Sequence, residues 1–283
     1  MHVFTAKKEI LYFLENERIN KRKIGFVPTM GALHEGHLEL IKYALRENDV
    51  CVCSIFINPT QFNNPDDLEK YPVTIEQDLQ VLKEQGCQVV FTPAASELYP
   101  DPWRLNTTIH FGEIESILEG KYRPGHFRGV GLVVTKLFNI VKPHSTYFGQ
   151  KDLQQFHLVK QLIRDFSFDI RLICVPTVRA QDGLALSSRN IRIPAEDRPY
   201  ANKFYECLLE CKKRLKKGDK PVGIKLFATT FLAQFPVIKL EYIELIDTEN
   251  FTILKKMNTK KEAALCIAGY INNIRLIDNV FIN

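Results

Sequence analysis

The chain has 283 residues, 45% of them hydrophobic and 25% charged, with a formal net charge of +5 at pH 7. That length holds one large domain or two smaller ones, and the composition excludes a disordered, fibrous or membrane-spanning chain. The mild positive charge suits anionic small molecules and carries no argument for a nucleic-acid partner.

Residues 5–19 read as a helix leading into 23–27, a short apolar run with the look of a buried strand. Then comes P-T-M-G-A-L-H-E-G-H at 28–37, followed by Leu38, Ile41 and Leu45 at the spacing of one helix face. The motif therefore sits where a strand turns into a helix. Gly31 and Gly36 lack a Cβ and let a ligand approach the backbone. A helix start offers unpaired N–H groups and a positive dipole end, which suit phosphate. His34 and His37 can point ring N–H donors at oxygens that gain charge as a leaving group departs. A bare H-x-x-H leaves two other readings open. One is a capping turn with two incidental imidazoles. The other is a metal pair, although H-E-G-H lacks the spacing of H-E-x-x-H.

Residues 49–57 form a second apolar run, as in a strand buried on both faces, and end in N-P-T-Q-F-N-N-P. A helix over 75–85 and a short strand over 88–92 follow, then a loop between Pro100 and Pro102 that leads to Trp103. The stretch E-G-K-Y-R-P-G-H-F-R-G-V-G reads as a loop before a helix over 129–141. That helix, the longest apolar stretch, contains Lys136 and Asn139 and is too short to span a bilayer. A strand over 146–148, the segment G-Q-K-D-L-Q-Q-F opening a helix to about 166, and a strand over 169–175 complete an alternation of strands and helices. Such alternation predicts a parallel α/β sheet, Rossmann-like, over 1–177. Ligands bind beyond the carboxyl ends of its strands, where the loops 28–37, 58–65 and 149–155 fall.

After about 176 the character changes. P-T-V-R-A-Q-D-G-L-A-L-S-S-R-N is a polar loop in which Asp182-Gly183 offers a flexible point. Helices over 195–216 and 221–234 precede strands over 237–246, 263–269 and 274–281, which predicts a smaller α+β C-terminal lid domain over 178–283. The Lys-rich run 212–220 reads as a solvated helix end. Seven cysteines without a C-x-x-C, and a start without a secretion signal, point to a reducing, cytoplasmic setting and no zinc site. Cys51 and Cys53 read as core residues.

Five motifs, P-T-M-G-A-L-H-E-G-H, I-N-P-T-Q-F, H-F-R-G-V, G-Q-K-D-L-Q-Q and L-S-S-R-N, occur in the order and spacing of the pantothenate synthetase (pantoate–β-alanine ligase) family. The resemblance covers about 24–193 and is weaker beyond. It implies a cytoplasmic, homodimeric ligase that converts ATP, (R)-pantoate and β-alanine to pantothenate, AMP and pyrophosphate through a pantoyl adenylate. It also implies a HIGH-type motif in H-E-G-H and a KMSKS-like loop in S-S-R-N. By the same resemblance, ATP is bound by Met30, Gly31, Ala32, Leu33, His34, Glu35, Gly36 and His37. Gly149, Gln150, Lys151 and Asp152 follow, then Val178, Leu186, Ser187, Ser188 and Arg189. His37 with His34 serves as proton donor and Lys151 as the cation on the phosphates. Gln61 and Gln155 match the pantoate-binding glutamines, with Gln61 also beside β-alanine and Asn58 a weaker candidate. Mg²⁺ accompanies ATP as a cofactor, with no all-protein metal cage expected. Three positions depart from the family pattern: Gln150 for Glu, Leu186 for Met and Val73 for Arg. His126 and Arg128 read as structural or phosphate-side residues. The alternative readings are a nucleotidyltransferase acting on a phosphorylated acceptor and a catalytically silent nucleotide-binding regulator.

Overall fold

Short apolar runs alternating with amphipathic stretches form a six-stranded parallel sheet in the computed structural model, which describes residues 1–101, 107–257 and 262–282. Pro102 and Trp103 lie outside the described residues. The chain divides into two compact units, one of Met1–Gly149 with Gln155–Pro176, the other of Gln150–Gln154 with Thr177–Asn283.

The first unit runs β1 (His2–Phe4), α1 (Lys7–Ile19), β2 (Ile24–Thr29), α2 (Glu35–Glu47), β3 (Val50–Ile55), α3 (Pro65–Glu69), α4 (Ile75–Glu84) and β4 (Val89–Phe91). It continues with α5 (Ala95–Leu98), α6 (Leu118–Tyr122), α7 (His126–Val141), β5 (Ser145–Gly149), α8 (Leu153–Asp165) and β6 (Arg171–Val175). The strand order is β1-β4-β3-β2-β5-β6. Every residue of β3 is buried, as a strand covered by helices on both faces requires. α2 buries Leu38, Leu40, Ile41 and Ala44. Ile41, Val27 and Phe26 are fully buried, each contributing about 1.5–3 kcal/mol. α7 begins three residues before the expected start, so His126 and Arg128 belong to a helix and not to the preceding loop.

From β2 the chain first builds outward through β3 and β4, then returns to add β5 and β6 on β2's other side. β2 and β5 therefore flank the topological switch point, where sheets of this kind bind ligands. β2 pairs with β3 as far as Thr29, but with β5 only at Gly25 and Phe26. The proline explains the asymmetry. The Ile24 carbonyl accepts from His144 N–H on the β5 side, so by strand alternation Pro28 faces β5 too. It has no N–H to give. The loops at 28–37, 58–65 and 149–155 begin at the carboxyl ends of β2, β3 and β5, three neighbouring strands.

The second unit holds α9 (Lys203–Lys216), α10 (Pro221–Leu232), β7 (Ile238–Asp247), β8 (Thr252–Ile253), β9 (Ala263–Ile271) and β10 (Ile274–Phe281). Its antiparallel sheet has the order β10-β9-β7-β8. Phe204, Cys207, Leu208, Cys211 and Leu215 of α9 pack with Leu265, Ile267 and Leu276 of the sheet in one apolar core. The helix expected from 195 instead starts at Lys203, after a 3-10 turn at Arg198–Tyr200. Pro199 explains the shift, because inside a helix its ring would clash with the preceding turn.

All seven cysteines are free, and Cys51 and Cys53 are core residues with no exposure. Burial pushes the Cys53 thiol well up and that of Cys174 to about 11, which keeps both protonated. Among the described residues no helix is long and apolar enough to cross a membrane.

Candidate functional site

The motif after β2 turns back on itself through two left-handed residues, Gly31 (φ 82°) and Ala32 (φ 50°). An alanine in that region is held there by its surroundings. Here the holding group is Asp78 of α4, only 2% exposed. One carboxylate oxygen accepts from Ala32 N–H at 2.9 Å and the other from Leu33 N–H at 2.8 Å. The sequence placed Asp78 on a helix but offered no sign of this clamp. Replacing Asp78 by Asn points an amide NH₂ at one of the two backbone donors, a loss of about 1–3 kcal/mol. The denaturation midpoint of D78N should fall with an unchanged denaturant slope; a midpoint equal to wild type would show the clamp to be dispensable.

The clamped loop delivers His34 as N-cap of α2, in extended conformation. Its ring Nδ1 accepts from Gly36 N–H at 3.1 Å, while the His34 backbone N–H donates to His37 Nδ1 at 3.3 Å. Two imidazoles thus form the reciprocal cap usually made by Ser or Thr with Glu. The rings lie with centroids 4.1 Å apart. With both Nδ1 atoms accepting, each neutral ring carries its proton on Nε2. The capping and proton-donor readings of H-E-G-H are therefore compatible, because capping uses one nitrogen of each ring and selects the tautomer that makes the other a donor. For the metal-pair reading, the geometry leaves little room at Nδ1, since both Nδ1 atoms accept from backbone N–H groups.

After β3, a 3-10 turn at Pro59–Gln61 carries Gln61, which is 8% exposed. Its Nε2 donates to Met30 Sδ at 2.9 Å, joining the second loop to the first. The amide is oriented by Asn58, 1% exposed, whose Nδ2 donates to Gln61 Oε1 at 3.0 Å and to the Gly129 carbonyl at 3.2 Å. Asn58 is oriented in turn by Tyr99 and Thr60, whose hydroxyls donate to its Oδ1 at 2.9 and 3.0 Å. Burial raises the Tyr99 phenol, so it remains a donor at neutral pH. His126 Nδ1–H donates to the Gln61 carbonyl at 2.8 Å, and Arg123 lies 3.0 Å from the other ring nitrogen. A Cβ on Gly129 would stand 2.2 Å from the Thr60 carbonyl, so only glycine lets α7 approach this turn. The H-F-R-G-V motif is thereby explained as a brace for Gln61, whereas Arg128 is a surface residue paired with Glu115.

β5 ends at Gly149, and a 3-10 turn at Gln150–Asp152 precedes α8. The helix expected to open with G-Q-K-D-L-Q-Q-F is therefore broken: Lys151 lies on the 3-10 turn and Gln155 on α8. Gln155 is half-buried in the first unit; Gln150, Lys151 and Asp152 belong to the second. Lys151 Nζ lies 3.5 Å from Asp152 Oδ1.

Within the second unit, Leu186 N–H donates to the Val178 carbonyl at 3.0 Å, bringing those two expected positions face to face. Ser187 caps the 3-10 turn Ser188–Arg192, its hydroxyl accepting from Arg189 N–H at 3.3 Å. Ser188 is buried, Arg189 half-buried. The expected flexible point at Asp182-Gly183 is instead a stapled tip. Gly183 N–H donates to the Ala180 carbonyl at 2.9 Å, Leu184 N–H to Asp182 Oδ1 at 3.1 Å, and Asp182 pairs with Arg198. Arg179 reaches Asp278 through two bonds of 2.6 and 2.8 Å and stacks on Tyr205. Burial pushes the Asp278 carboxyl up, opposed by that guanidinium. Of the departures from the family pattern, Val73 is 73% exposed, so the exchange there sacrifices no buried contact.

Comparison with known proteins agrees with this arrangement over the whole chain, beyond the 24–193 region that carries the motifs. The family model described as pantoate-beta-alanine ligase matches residues 2–281. The pantothenate synthetase of Cytophaga hutchinsonii is 43% identical over 279 residues, 98% of each chain. That of Aquifex aeolicus is 42% identical over 98% of this chain and 97% of its own. The crystal structure of pantothenate synthetase from Thermus thermophilus superposes with a TM-score of 0.92 at 36% identity, covering 100% of this chain and 99% of that one. The pantoate-beta-alanine ligase of Francisella tularensis, complexed with beta-gamma ATP and beta-alanine, gives 0.81 at 40% identity over 100% and 98%. With the family model matched almost end to end and relatives well above the identity at which fold and family are shared, the chain belongs to the pantoate–β-alanine ligase family.

Proposed function

We infer that this ligase activates pantoate on the loops described above and that His37, His34 and Lys151 carry the activation. The family's reaction is the ATP-dependent joining of pantoate to β-alanine. A free carboxylate is a poor acyl donor, because its leaving group would be an oxide. Attack of the pantoate carboxylate on the ATP α-phosphorus forms a P–O bond, breaks the bond to the bridging oxygen and releases pyrophosphate. The β-alanine amine then attacks the acyl carbon, loses a proton, and AMP leaves.

The single observation that carries this assignment is the paired imidazole cap at the N-terminus of α2, beside the switch point, in which both Nδ1 atoms accept from backbone N–H groups and leave Nε2 as the donor of each neutral ring. Such donors strengthen as charge builds on the departing pyrophosphate. Lys151 supplies a point charge for the same phosphates. The backbone of 30–37, with Gly149, Gln150, Asp152, Val178 and 186–189, completes the proposed ATP contacts. Mg²⁺ is proposed to arrive on the phosphates of ATP, as a hard cation that keeps most of its ligands from water and phosphate does. When bound there it would neutralise part of the triphosphate charge. The same reading carries a cytoplasmic homodimer, expected to sediment at twice the chain mass.

Gln61 and Gln155 are proposed to recognise pantoate, with Gln61 also beside β-alanine. Gln61 Nε2 rests on a thioether, a weak acceptor that a carboxylate or hydroxyl oxygen readily replaces. A neutral amide orients the nucleophile without the tight charge pairing that would hold back its attack.

The test is exchange of labelled pyrophosphate into ATP without β-alanine. Exchange that requires pantoate is expected; exchange without pantoate, or pantothenate formation with no exchange at all, would overturn the adenylate route. In the same assay Gln155→Ala should raise the pantoate KM by about tenfold or more, the value of one well-placed hydrogen bond to a charged group, with the ATP KM little changed. Equal damage to both constants would remove Gln155 from the acceptor pocket.

A further inference from the structure

Lys151 follows β5 in the chain, but its backbone is held from the far end of the sequence. Asn279, on β10 and 2% exposed, donates through Nδ2 to the carbonyls of Gln150 at 2.9 Å and Lys151 at 3.0 Å. The Gln150 side chain answers, its Nε2 donating to Asn279 Oδ1 at 3.0 Å. That return bond sets the amide, with its NH₂ toward the two carbonyls and its oxygen toward Gln150. The main chain of Asn279 is anchored as well. Its N–H donates to Asp278 Oδ1 at 2.7 Å, and Arg179 donates to its carbonyl at 3.3 Å. Asp278 is itself clamped by both terminal nitrogens of Arg179.

We propose that Asn279 is a positioning residue for adenylate formation: its side-chain amide, locked by Gln150, fixes the Gln150–Lys151 turn and so the point in space from which the Lys151 ammonium reaches the phosphates. The inference rests on the reading of Lys151 as the phosphate cation. It goes beyond that reading by assigning the placement of the lysine to a residue near the end of the last strand. It also gives Gln150, one of the departures from the family pattern, a specific task in this chain, as the donor that orients Asn279.

A side chain that only stabilised the second unit would lower the melting temperature, and its effect on rate would multiply with that of any other variant. A side chain acting through Lys151 behaves differently, because once the ammonium is gone its placement no longer matters. The experiment is a double-mutant cycle on the full chain with Asn279→Ala, Lys151→Ala and the pair, measured by pantoate-dependent pyrophosphate exchange with melting curves for each. Asn279→Ala is expected to slow exchange by about 10–100-fold at unchanged pantoate KM, the usual consequence of misplacing a catalytic group by about 1 Å. The pair is expected to be slower than Lys151→Ala alone by less than about twofold. Multiplicative losses, or wild-type exchange in a folded Asn279→Ala protein, would overturn the inference while leaving Lys151 in place. Wild-type exchange in Lys151→Ala would remove both. Should Asn279→Ala fail to fold, Asn279→Ser, which keeps a polar group but is too short to reach both carbonyls, enters the same cycle. The same non-additive pattern with a smaller loss supports the proposal, and a multiplicative one refutes it.

Discussion

Replacing His37 by Ala is expected to cut pantoate-dependent pyrophosphate exchange by about 10²–10³-fold, the usual effect of deleting one donor to developing charge, about 2.7–4 kcal/mol. The structure divides that loss into two parts. His37 Nδ1 also accepts from His34 N–H, so the alanine removes half of the reciprocal cap, worth about 0.5–2 kcal/mol of stability. The Asn variant separates them. Its Oδ1 stands near the place of Nδ1 and can keep the cap, but nothing replaces Nε2–H. His37→Asn should therefore melt close to wild type and remain as slow as His37→Ala. His37→Gln places an amide donor nearer the Nε2 position and should recover part of the rate. Near-normal exchange in a folded His37→Asn protein would remove the proton-donor role and leave His37 as a capping residue alone.

The second large effect is expected at Lys151. Loss of the ammonium should slow exchange by about 10²–10³-fold, because a charge-assisted contact to the departing phosphates is stronger than a neutral one. The lysine side chain is 18% exposed, so its stem is packed and alanine removes contacts as well as charge. Lys151→Met keeps most of the stem. If charge is what matters, Met and Ala will be equally slow, and the fall will appear in kcat more than in the ATP KM, since the charge on pyrophosphate develops as it leaves. A methionine variant with wild-type kcat would show that the position needs bulk and not a cation.

Much of this site was legible along the chain because its parts lie in short, ordered segments. The glycines, histidines and helix start of 28–37 are contiguous, and their setting between an apolar run and an amphipathic stretch needs only strand and helix periodicity. β3 was equally plain, an unbroken apolar run. β1 was not, since three residues carry no period, and its pairing with β4 depends on a segment more than eighty residues away. α9 starts at Lys203 rather than near 195, because at Pro199 backbone sterics and not hydrophobicity set the boundary.

The sequence by itself determined the order of the longer strands and helices, the motif loops at strand ends, the family and the identity of the groups proposed to meet ATP and pantoate. These are local properties, encoded in residue type and spacing. Only the tertiary structure decided how those groups are held. Asp78 clamps the motif loop from 45 and 46 positions away, Tyr99 and Gly129 orient Asn58 from 41 and 71, and Asn279 holds Lys151 from 128. The imidazole tautomers belong with these, although the two histidines are three residues apart, because they depend on which backbone N–H each Nδ1 meets. Hydrogen bonds across such separations leave no periodic trace in a single sequence, since each depends on one side chain reaching one backbone atom after the chain has folded.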